Sequence, residues 1–115
     1  MNQPHSHLLT RASELLDGSD VDLLLATAAV RIGVESYLRA AVAQVLRQAP
    51  HTPSVSFSAT ILCSRGILTV AERNGCKRLA RATSRAIHTA AVDLDSAERC
   101  HDFATELVRR LERRL

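Results

Sequence analysis

Residues 21–48 read VDLLLATAAVRIGVESYLRAAVAQVLRQ, a run without proline. Apolar side chains recur at Leu24, Ala28, Val34, Leu38, Ala41, Val45 and Leu46, and Leu25, Ile32 and Val42 widen the stripe. Steps of three and four residues are the period of an α-helix. A helix apolar over so much of its circumference belongs at the centre of a bundle, where several neighbours cover it. Gly33, midway along, costs up to about 1 kcal/mol relative to alanine and allows a second helix to approach closely. Upstream, Asp17-Gly18-Ser19-Asp20 supplies a turn and an N-cap, placing the helix start near Asp20. Downstream, Pro50 and Pro53 end the helix and frame a loop over 49–53.

Working outward, the whole chain reads as an all-α, single-domain bundle of four to five helices around this long second one. Its 115 residues are 46% apolar but only 3% aromatic, namely Tyr37, Phe57 and Phe103. A core of Leu, Val, Ile and Ala suits closely packed helices better than a sheet. Residues 1–7 are read as a flexible tail and 8–115 as the bundle, beginning with a short helix from Leu8 to Leu16. The third helix starts after a Ser54 or Ser56 cap and runs to Glu72. Val55-Ser56-Phe57 could instead open a strand. Arg73-Asn74-Gly75 is a turn signal. The fourth helix spans Lys77 to Val92. Asp95 or Ser96 then caps a fifth, whose Cys100, Phe103, Ala104, Leu107, Val108 and Leu111 face the core. Arg31, Glu35 and Arg39 interrupt the longest apolar stretch, so no membrane span is expected. The first residues lack the apolar core of a secretion signal, and a cytoplasmic location follows as the expectation.

Charge is unevenly spread. Residues 1–60 carry four arginines and five acids, whereas 61–115 carry eleven basic residues and seven acids. The positive field belongs to this second half, which contains the fourth helix. Steps of about 100° place Leu79, Thr83, Ala86, Ile87 and Ala90 on one side of it, and Lys77, Arg81, Ser84, Arg85 and His88 on the other. Arg81 and His88 are two turns apart at nearly one azimuth, so they share a polar ridge with Ser84 and Arg85. An imidazole that titrates near neutrality moves protons, and a guanidinium beside it holds phosphate and stabilises developing negative charge. Metal-independent RNA cleavage, in which a 2′-hydroxyl attacks its own phosphodiester, needs those two groups. Glu35 and Ser36 read two ways: as groups that approach the ridge and orient it, or as an exposed face of helix two. Cys63, Cys76 and Cys100 form no CxxC pair and are read as packed, reduced thiols. Cys76, His88, Cys100 and His101 match no common zinc spacing, so no metal and no cofactor is expected. Phosphate loops, HExxH, GxSxG and paired catalytic carboxylates are absent from the sequence.

The segment Leu79-Ala80-Arg81-Ala82-Thr83-Ser84-Arg85-Ala86-Ile87-His88, after a long second helix and before a closing amphipathic one, resembles the HEPN domain (higher eukaryotes and prokaryotes nucleotide-binding). The resemblance covers roughly residues 8–112. Active members carry Arg-x(4–6)-His near a dimer interface and act as ribonucleases, often as toxins beside an antitoxin. It implies catalytic roles for Arg81 and His88, a homodimer, RNA as a partner, and an antitoxin-like protein partner. Ala82 departs from the family, in which a polar residue usually follows the arginine, so a non-catalytic member stays open. Arg78, Ser84 and Arg85 are the expected nucleic-acid contacts. Two other readings stand beside this one: a non-enzymatic helical interaction module, and a small DNA-binding regulator with a helix-turn-helix built on the Gly75 turn and Arg78, Arg81 and Arg85 facing a groove.

Overall fold

The computed structural model describes residues 4–48 and 54–115. The proline-framed loop at 49–53 and the first three residues of the tail lie outside that range. Five helices follow one another: α1 (Pro4–Leu15), α2 (Asp20–Leu46), α3 (Val55–Ser64), α4 (Val70–Thr89) and α5 (Leu94–Arg114). There is no strand among the described residues, and Val55 opens a helix capped by the Ser54 side chain. α1 begins earlier than Leu8, with Pro4 in its first turn, a position where the missing N–H costs nothing.

α2 begins at Asp20, as its cap predicts. The Ser19 hydroxyl accepts from Asp22 N and the Asp22 carboxylate accepts from Ser19 N, a reciprocal capping box. Arg47 at φ 60° closes the other end. Each of the other four helices packs against α2. Val30, Val34, Leu38 and Val42 from α2 meet Ala12, Ala59, Leu62, Cys76, Ala104 and Leu111 in one continuous core. The apolar stripe read from the sequence is only partly inward, however. Val34, Leu38, Ala41 and Val42 are buried, but Leu25 and Ile32 are 52% and 56% exposed. They sit on the face of α2 opposite the core.

The boundary between α3 and α4 is the main correction. The third helix stops at Ser64, eight residues before Glu72, because Gly66 takes a left-handed conformation (φ 76°). Its N–H donates to Cys63 O at 3.0 Å and Ile67 N–H donates to Leu62 O at 2.9 Å, the paired bonds of a glycine-terminated helix end. Thr69 then caps α4 reciprocally with Glu72 at N3. Arg73-Asn74-Gly75 is therefore helix, and the turn that a helix-turn-helix would need there does not exist. Gly75 is buried where α4 crosses α5, and a Cβ there would run into the Phe103 ring. At the far end α4 stops at Thr89 and not Val92, and α5 is capped by Asp93, two residues before Asp95, through Ser96 N–H at 2.7 Å.

One charged residue is taken inside. Glu72 is 6% exposed and accepts from Thr69 N, from Arg114 Nη1 at 2.6 Å and Nη2 at 3.0 Å, and from Arg110 Nη1 at 3.5 Å. The Arg114 hydrogen bonds, reinforced by the Thr69 amide, hold its carboxyl down at about 2 despite the opposing effect of burial. Tyr37 on α2 is pushed up to about 12 by burial, with Glu112 of α5 adding to the shift.

Candidate nucleic-acid interface

α4 divides its residues cleanly. Glu72, Gly75, Cys76, Leu79, Thr83 and Ala86 are buried, while Arg78, Arg81, Arg85 and His88 are exposed and Lys77 is half-buried. Ile87 and Ala90, expected on the apolar side, are exposed, Ile87 by 44%. In the last turn of α4 only Ala86 is buried, and Ala90 has left the helix at φ 54°.

The ridge is rearranged by a residue from α2. Arg31 Nη1 donates to Ala80 O at 2.7 Å, to Thr83 Oγ1 at 2.9 Å and to Ser84 Oγ at 3.2 Å. Ser84 is thus half-buried and engaged by α2. Glu35 reaches Arg31 Nε at 4.0 Å, so the carboxylate expected to orient Arg81 instead steadies Arg31. An arginine in the middle of an apolar helix is the available signal for this grip. Read for hydropathy alone, it serves only to interrupt a membrane span.

Arg81 and His88 do lie on one exposed face, separated by two turns, or about 10 Å along the axis. No side-chain hydrogen bond or ion pair joins them to each other or to another described residue. The same holds for Lys77, Arg78 and Arg85, whose side chains meet no carboxylate. From Arg73 to Val92 the sequence contains no acid at all. On this face five basic groups, counting His88, stand within about four turns with nothing to neutralise them, a field suited to a polyanion. Arg78 also borders a cavity of about 270 Å³ between α4 and α5, floored by Leu79, Ala82 and Cys100.

The remaining candidates disperse. Burial pushes the Cys76 thiol up to about 12 and raises that of Cys100, so neither presents a thiolate near neutrality. His101 donates from Nε2 to Leu9 O at 3.1 Å and ties α5 to α1. Among the described residues no three His, Cys, Asp or Glu side chains converge as metal ligands, and no helix is long and apolar enough to cross a membrane.

Comparison with family models, curated proteins and solved structures found no match to this chain.

Proposed function

We propose that the protein is a HEPN-like RNA-binding bundle in which α4 lies along a phosphodiester backbone and cleaves it without a metal. The observation that carries this reading is the unneutralised cationic face of α4, with His88 at the azimuth of Arg81. Arg81, flanked by Arg78 and Arg85, holds a phosphate; single strands are favoured because splayed phosphates can follow one exposed helix. In the cleavage step the 2′-hydroxyl attacks the adjacent phosphorus. A neutral His88 takes the hydroxyl proton, and a protonated His88 gives one to the departing 5′-oxygen, leaving a 2′,3′-cyclic phosphate and a 5′-hydroxyl. One imidazole cannot fill both roles in one event, so a homodimer presenting two His88 side chains fits this chemistry. An antitoxin-like protein covering the same face belongs to this reading as its inhibitor.

The test is cleavage of single-stranded RNA in the presence of a chelator. Wild type is expected to yield cyclic-phosphate ends, and His88→Ala, folded by circular dichroism, to lose at least about a hundredfold in rate. Undiminished cleavage in His88→Ala would remove His88 from the mechanism. RNA binding without any cleavage by wild type would reduce the function to binding alone. The exposed apolar side chains of α2 favour one further reading, a module that associates through that helix.

A further inference from the structure

The outward face of α2 carries Val21, Leu25 and Ile32, exposed by 65%, 52% and 56%. At about 100° per residue they fall within roughly 40° of one another, over three turns, with Ala28 between them. Single exposed apolar residues are ordinary; a straight line of them on the longest helix is not. α2 carries apolar residues on its outward side as well as on the side that faces the core, yet the outward ones face solvent in the isolated chain.

We propose that this stripe is the contact between two copies of the chain, packed with their α2 helices antiparallel. The proposal deepens the homodimer element of the reading above by naming its interface. The spacing is self-complementary. A two-fold axis passing between Ala28 and Ala29 sets Leu25 of each copy against Ile32 of the other and brings the alanines together, so that the backbones approach closely. Charge is self-complementary too. The turn into α2 carries Asp17 and Asp20, both exposed, and Arg39, exposed and without an acidic partner among the described residues, lies on the stripe towards the other end. Antiparallel packing places each Arg39 beside the partner's acidic turn, and it opposes the two helix dipoles. Parallel packing would stack acid on acid and arginine on arginine.

Such a dimer also positions α4. Arg31, which grips α4, lies about a quarter turn around α2 from the stripe. Two helices meeting face to face and antiparallel are related by an axis perpendicular both to the helices and to the line joining them. That operation keeps whatever lies beside α2 on the same side of the dimer. The two α4 helices, with both Arg81 and His88 pairs, therefore flank one side and leave a trough between them.

Light scattering on the full chain at tens of micromolar is expected to give twice the chain mass. Leu25→Asp with Ile32→Asp, both at exposed positions, is expected to halve it while circular dichroism stays unchanged. A monomeric wild type, or a double variant that remains dimeric, overturns the interface. In a Cys63→Ser background, Ala28→Cys is expected to form an intermolecular disulfide under oxidation and Ser36→Cys is not; a disulfide through Ser36→Cys, which in-register parallel helices would bring together, overturns the antiparallel order, and no disulfide through Ala28→Cys overturns the register. None of these readouts uses RNA, so their failure and the failure of the cleavage assay are separate results.

Discussion

α4 and α5 are both arginine-rich, both amphipathic and nearly equal in length, yet electrostatically they are opposites. α5 carries five arginines and five acids, whereas α4 carries five basic residues and one acid. On α5 the charges meet: Arg99 pairs with Asp95, and Arg109 and Arg110 both reach Glu106. The single acid of α4, Glu72, is buried and turned to Arg114 and Arg110 of α5. The excess positive charge in the second half of the chain is thus concentrated on one face of one helix. A count of residues per segment shows an excess; only pairing shows where the field emerges.

The strongest way to break this comparison is to reverse charge on each helix in turn. Arg81→Glu with Arg85→Glu is expected to weaken single-stranded RNA binding about a hundredfold, close to 2.7 kcal/mol. It should also flatten the dependence on salt, by roughly 0.7 in the logarithmic slope for each phosphate that is no longer neutralised. Arg109→Glu with Arg113→Glu changes net charge equally and is expected to weaken binding less than about threefold. Fluorescence anisotropy across a salt series reads both quantities. Equal weakening by the two pairs would mean that net charge, and not the α4 face, governs binding.

Glu72 joins the two helices and gives the next largest effect. Its carboxyl is held near 2 in the folded chain against an ordinary value near 4.5. A depressed folded value contributes stability that is complete above about pH 4.5 and is lost as pH falls towards 2. Glu72→Gln is expected to cost about 2 kcal/mol at neutral pH, since Arg114 loses its counter-charge but still reaches water, while Arg110 keeps Glu106. It should also flatten the fall in stability between pH 4.5 and 2. Urea melts at several pH values check it: a variant with the wild-type acid slope would show that Glu72 is not the responsible group.

Much of the fold is legible from residue order, and the departures have physical sources. The start of α2 follows from Ser19-x-x-Asp22. The same logic applied to Thr69-Val70-Ala71-Glu72, just after Gly66, locates the start of α4. Two local signals compete with it: Asn74-Gly75 is a strong turn pair in isolation, and Gly66 reads as readily as a weak helix residue as it does as a stop. The outward placement of Arg81, Arg85 and His88 holds because it needs only the helical period. Ser84 departs from that pattern for want of its partner: Arg31 is 49 to 53 residues away from the groups it binds, and no local pattern joins them. Leu25 and Ile32 read as core because hydrophobicity does not say which side a neighbour occupies. Their azimuth, opposite Val30 and Val34, does.

Gly75 offers the smallest and most discriminating test of how α4 and α5 meet. A turn glycine and a packing glycine respond differently to alanine. In a turn requiring positive φ, alanine is strained whatever surrounds it. Gly75 lies within α4 at ordinary helical angles, where alanine by itself is worth about 1 kcal/mol of added stability. Its Cβ, however, would collide with the Phe103 ring, and forcing a packed neighbour aside costs about 1 to 3 kcal/mol. Gly75→Ala is therefore expected to be destabilising by about 1 kcal/mol. The sign should reverse in a Phe103→Leu background, where the smaller side chain leaves room for the methyl group and the helix propensity of alanine is felt. A double-mutant cycle in chemical denaturation measures this coupling directly. Additive effects, with Gly75→Ala destabilising in both backgrounds, would mean that the glycine serves the backbone and that the approach of α5 to α4 does not depend on it.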